Sequence, residues 1–127
     1  MTNKALIIVA HGSRKSSSNE EVKALGEKVS FLVDQRYGLV MTSFLEFAAP
    51  SLEESMLSCI DKGVSEIVIL PYFLASGNHV TRDIPEVIEK IEATYPKVKI
   101  TLKEHLGSSH GMVNLLRDMA VSPNKKL

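Results

Sequence analysis

The chain has 127 residues, of which 44% are apolar and 24% charged, the proportions of an ordinary globular protein of one domain's length. Its 15 basic and 15 acidic residues cancel, which excludes a net electrostatic pull toward nucleic acid or an anionic membrane. The single cysteine, Cys59, excludes an internal disulfide and a CxxC metal knuckle.

Nothing approaches the run of about 18 apolar residues that spans a membrane, and the apolar run Ala5–Ala10 is too short for a secretion signal. The expectation is a reduced, cytoplasmic protein with one domain over residues 1–127. Its core lies at about 4–120 and its tail, 121–127, is frayed.

Ala5–Ala10 reads as a buried strand running into His11-Gly12-Ser13-Arg14. Asn19–Tyr37 reads as a helix, because Val22, Leu25, Val29, Leu32 and Val33 recur at three- and four-residue steps. Leu39–Phe47 is the second strand. Near its end stands Glu46, in an otherwise apolar run where an unpaired carboxylate is costly to bury. Ser51–Lys62 is a helix, with Ser51 and Glu54 in capping-box spacing and Gly63 as its stop. Cys59 falls on it as a small core residue. Glu66–Leu74 is the third strand, followed by Ala75-Ser76-Gly77-Asn78-His79. Arg82–Tyr95 is a helix opened by Asp83, Pro85 and Glu86. Val98–Lys103 is the fourth strand, followed by His105, Gly107, Ser108, Ser109 and His110, and Ser109–Ala120 is the last helix.

Strand and helix alternating in this way predict an α/β protein, a parallel sheet covered by helices on both faces. The expected form is a three-layer αβα fold with a flavodoxin-like, four-stranded sheet in the order 2-1-3-4. Open parallel sheets bind ligands at the carboxyl ends of their strands, and all four histidines fall on that rim. His11 and His79 end adjacent strands in the expected order, which makes them the leading pair. Each residue also has an ordinary structural reading. Glu46 can cap its strand or pair with Arg14, and His110 can serve the first turn of the last helix. The roles of His105 and His110 stay open. Ser13, Arg14, Ser76, Gly77 and Asn78 lie in loops suited to holding carboxylates. Arg82 does the same or closes a salt bridge at a helix start.

Two imidazoles and a carboxylate, without a thiolate, suit Co²⁺, Fe²⁺, Ni²⁺ or Zn²⁺. So few protein ligands leave coordination positions open, which means transient holding or catalysis rather than a closed structural site. There is no H-E-x-x-H helix, no GxxxxGK[ST] loop and no G-x-G-x-x-G after the first strand.

The segments "LIIVAHGSR", "FLEFAAPSLEESM", "GVSEIVILPYFLASGNHVTRDIPEVI" and "HLGSSHGMVNLL" resemble the sirohydrochlorin chelatases, the class II metal chelatases of sirohaem and cobalamin synthesis. The resemblance spans about residues 4–120. It implies a chelatase-like fold and insertion of a divalent ion, Co²⁺ foremost with Fe²⁺ or Ni²⁺ as others, into sirohydrochlorin or a related tetrapyrrole. It implies that the ion is a substrate, with no permanently bound cofactor, no ATP and no redox step. It places metal binding and catalysis on His11 and His79, and matches Glu46 to an acidic position that is either a ligand or a proton carrier. The family has long members with two such units and short members that assemble as homodimers; this chain resembles the short ones.

Two other readings use the same residues. One is a non-catalytic divalent-metal carrier. The other is a histidine-phosphatase-like phosphotransferase, although Ala10 stands where that motif needs an arginine.

Overall fold

In this computed structural model, which describes residues 3–124, Lys4–Ala10 forms strand β1 and is buried from Ala5 onward. Successive side chains of a strand point to opposite faces, and each face of β1 meets a different layer. Ala5, Ile7 and Val9 pack with Leu52, Met56 and Ile84 in the larger core. Leu6 and Ile8 pack with Val68 in the smaller one, against Val29 and Val33. Burying one such aliphatic side chain is worth roughly 1.5–3 kcal/mol. A strand apolar on both faces therefore takes the centre of the sheet.

The remaining strands are β2 (Leu39–Phe44), β3 (Glu66–Pro71) and β4 (Lys99–Leu102). All pairings are parallel and the order is β2-β1-β3-β4, the expected 2-1-3-4. The register sets Ala10 beside Phe44 and Val9 beside Pro71, so three strands end together. Helix α1 (Ser16–Leu32) covers one face; α2 (Leu52–Asp61) and α3 (Ile84–Thr94) cover the other. The Ser51–Glu54 capping box is present, with both bonds formed, at 2.8 and 3.1 Å. Gly63 takes φ +86° just past α2. Cys59 is fully buried in the larger core, and that burial pushes its thiol above the usual range against the opposing influence of Lys62.

Several expectations need correction, beginning with two overlong elements: β3 stops at Pro71 rather than Leu74, and α1 at Leu32 rather than Tyr37. β2 stops at Phe44 rather than Phe47, because Phe44 N–H donates to Pro50 O and the chain turns away. Glu46 is consequently half exposed rather than buried in a strand. α1 begins at Ser16, before Asn19, and Asn19 is a buried helical residue. A π-helical turn, His79–Asp83, precedes α3.

The last helix, α4 (His110–Val121), includes Val121, the first residue of the expected frayed tail, and has no buried residue. Residues 125–127 lie outside those described.

Candidate metal centre

β1 delivers His11 to the carboxyl edge of the sheet, and two backbone contacts fix what surrounds it. Glu46 N–H donates to His11 O at 2.9 Å, so the segment after β2 lies against the end of β1. Gly12 has φ +96°, and a Cβ there would lie 1.8 Å from Glu46 O. Only glycine allows this approach. On the other side, Tyr72 N–H donates to Val9 O at 2.7 Å, carrying the chain out of β3 toward His79. Gly107 braces that loop: its N–H donates to Phe73 O at 2.9 Å, and a Cβ would meet Leu74 O at 1.7 Å.

The outcome is a trio. One ligand atom each from His11, Glu46 and His79 lies within 4.8 Å of the others. The two imidazole rings are 4.5 Å apart, edge to face, and His11 Nε2 is 3.2 Å from Glu46 Oε2. Tautomers follow from the partners. His11 Nδ1 faces Gly12 O at 3.0 Å; a carbonyl only accepts, so Nδ1 carries a hydrogen and Nε2 is the atom turned toward Glu46. His79 Nδ1 lies 2.7 Å from Asp83 Oδ2, which leaves His79 Nε2 as the free ligating atom. His11 Nε2 and the Glu46 carboxylate face each other closely enough to share one cation. The arrangement suits a proton or a divalent ion.

A cavity of about 390 Å³ opens beside the trio, lined by Glu46, His79, Asp83, Glu86 and Lys90 among others. Phe73 stacks on the His79 ring at 6.4 Å. Arg14 is exposed, its guanidinium 4.9 Å from the centre of the Phe47 ring rather than paired with Glu46.

The other expected residues divide. Ser13 is already engaged: its N–H donates to Asn19 Oδ1 at 2.9 Å and its carbonyl accepts from Asn19 Nδ2 at 2.8 Å. Its hydroxyl accepts from Lys15 N–H at 3.0 Å. Ser76, Gly77 and Asn78 are exposed between β3 and the π-helical turn, and Gly77 O accepts from Val80 and Thr81 N–H. Arg82 is exposed within the π-helical turn. His105 and His110 lie outside the trio, lining a separate cavity with Lys103, Glu104 and Ser108. Sharing one rim therefore did not bring all four histidines together. Asp83, Phe47 and Asn19 escaped the sequence reading as neighbours of this site. The four-residue spacing of His79 and Asp83 was the available signal for one of them.

Fold and trio together define a parallel αβα domain with a His-Glu-His cluster at the open carboxyl edge of its sheet. The CbiX family model matches residues 5–122, and the chain belongs to that family. It is 32% identical to the sirohydrochlorin ferrochelatase of Priestia megaterium, over 88% of this chain and 41% of the relative. It is 38% identical to the sirohydrochlorin cobaltochelatase of Methanococcus aeolicus, over 69% of this chain and 60% of the relative. The crystal structure of the sirohydrochlorin chelatase SirB from Bacillus subtilis subspecies spizizenii, in complex with cobalt, superposes with a TM-score of 0.82 at 28% identity. That match covers 95% of this chain and 51% of the other. The chain thus spans about half the length of these relatives.

Proposed function

We propose that this protein is a sirohydrochlorin chelatase: it inserts a divalent metal, Co²⁺ foremost with Fe²⁺ or Ni²⁺ as the others, into the tetrapyrrole. The observation that carries this reading is the trio of His11, Glu46 and His79, with its ligand atoms within 4.8 Å of one another on an open edge of the sheet. His11 and His79 hold the ion through Nε2. Two or three protein ligands leave positions free for pyrrole nitrogens to enter as the protein's grip is released. Each entering nitrogen that carries a proton must lose it, and a base within hydrogen-bond reach takes it. Glu46, half exposed beside His11, is placed to accept that proton. Arg14, Ser76, Gly77 and Asn78 are exposed around the trio and supply donors for peripheral carboxylates. Ser13 contributes by holding the loop, since its N–H is taken.

The partner we infer is a second copy of this chain. α4 leaves Val113, Leu115, Leu116 and Met119 between 50% and 71% exposed. Large apolar side chains left this exposed on one helix suit an interaction face. The match to only 51% of the SirB chain leaves room there for a second unit of this size, which a homodimer supplies here by symmetry. A buried lone thiol and the lack, among the described residues, of any helix long and apolar enough to cross a membrane accord with action in the cytoplasm.

The test follows the absorption spectrum of sirohydrochlorin with Co²⁺, Fe²⁺ or Ni²⁺ added. Insertion faster than the uncatalysed rate is expected. Metal binding without acceleration instead indicates a carrier, and hydrolysis of a phosphomonoester indicates a phosphotransferase.

A further inference from the structure

Phe47 is the only non-glycine residue with a positive φ among the described residues, at 65°. Ala48 N–H donates to Glu46 O at 2.8 Å, which closes a three-residue turn with Phe47 at its centre. A turn of that hand is rare and strained for a side chain this large. Strain of this sort persists where surroundings over-determine it, and it gathers at ligand clamps. Here the clamp is visible: Glu46 is tied to His11 O and abuts Gly12. The result is a phenyl ring held in water, 53% exposed, that adds nothing to either core. Its centroid lies 6.1 Å from that of the His11 ring, and the Arg14 guanidinium sits over it at 4.9 Å.

We propose that Phe47 is the apolar shelf on which the tetrapyrrole rests, with Arg14 turned toward a carboxylate at the macrocycle's edge. This rests on the chelatase reading. A macrocycle whose centre receives an ion from His11 must extend over the side chains that flank that ion. Its faces are flat and apolar and its rim is anionic. An exposed phenyl beside the ligands meets a face, and a guanidinium stacked on that phenyl meets the rim. Aromatic rings pack well at offsets with centroids about 4.5–7 Å apart. Phe47 is thus a substrate-positioning residue that separates macrocycle binding from metal binding.

The experiment titrates metal-free sirohydrochlorin into wild type, Phe47→Ala, Phe47→Gly and Phe47→Tyr, followed by absorbance. Co²⁺ affinity without tetrapyrrole and melting temperature are measured on the same samples. The expected result is roughly tenfold weaker tetrapyrrole binding in the Ala and Gly variants, and binding close to wild type in the Tyr variant. Co²⁺ affinity is unchanged throughout. Phe47→Gly melts no lower than wild type, because glycine accepts the positive φ. Wild-type binding with undiminished affinity in the Ala and Gly variants overturns the shelf alone. Loss of Co²⁺ affinity in the Gly variant overturns it too, since Phe47 then acts by shaping the trio. Wild type that fails to bind sirohydrochlorin overturns the shelf together with the chelatase reading.

Discussion

His79 Nδ1 lies 2.7 Å from Asp83 Oδ2, four residues further along one π-helical turn. An α-helix would carry this spacing too, but here the wider turn holds donor and acceptor on one face while Ile84 N–H bonds to His79 O. The carboxylate accepts from Nδ1–H and leaves Nε2 as the nitrogen available for a ligand. Outer partners of this kind are worth about 10–100-fold in metal affinity. Asp83→Ala is therefore expected to weaken Co²⁺ binding by about that factor, measured by calorimetric titration. Asp83 belongs to neither core, so the melting temperature stays near that of wild type. Unchanged affinity would show that the contact is incidental.

Gly12→Ala tests the backbone beneath the trio. The new Cβ would lie 1.8 Å from Glu46 O, at a residue with φ +96°. Backbone strain alone is expected to cost roughly 1–3 kcal/mol, and relief of the clash separates His11 from Glu46. Denaturant unfolding should show the lower midpoint, and Co²⁺ affinity should fall with it. A variant with wild-type values for both would contradict the close approach.

Much of the fold was legible because its signals are local and periodic. The strand cores, the Ser51 cap and Gly63 each follow from short-range patterns that packing did not override. His11 and His79 were legible as a pair because strand order alone makes their strands neighbours. The rest depended on where the chain leaves the sheet. Phe44 N–H bonding to Pro50 O ends β2 early, and no local pattern announces a hydrogen bond across that turn. Glu46 was thus found for its chemistry but placed in a strand it does not occupy. Ser13 looked like a free donor because the return of Asn19 from the first turns of α1 is a tertiary contact. His105 and His110 share the rim, but β4 ends on the far side of β3 from β1.

The capping box of α2 makes a pH-dependent contribution. Hydrogen bonds from the Ser51 backbone N–H and then from its side chain hold the Glu54 carboxyl below the ordinary value of 4.5. A depressed carboxylate stabilises the fold above the unfolded value, and that contribution is lost as pH falls through the folded value. Glu54→Gln should accordingly flatten the acid limb of the stability curve. Ser51→Ala should cost about 1 kcal/mol at neutral pH. Urea melts at pH 7 and across the acid range check both; an acid limb identical in wild type and Glu54→Gln would contradict the assignment.

On α4, Leu116 is 60% exposed within the apolar face assigned to the second copy. Leu116→Glu is expected to shift the solution mass from dimer to monomer at micromolar concentration while the circular dichroism spectrum is retained. Light scattering behind a sizing column reads the mass. A wild-type monomer at all concentrations would contradict the dimer.

The central claim is that His11 and His79 hold the metal that is delivered. X-ray absorption of the Co²⁺-loaded protein tests it most directly, because imidazole gives a distinctive multiple-scattering pattern. The account predicts two imidazoles on the ion in wild type, and one each in His11→Ala and His79→Ala. A wild-type spectrum with oxygen ligands only, or one that both substitutions leave unaltered, would contradict it.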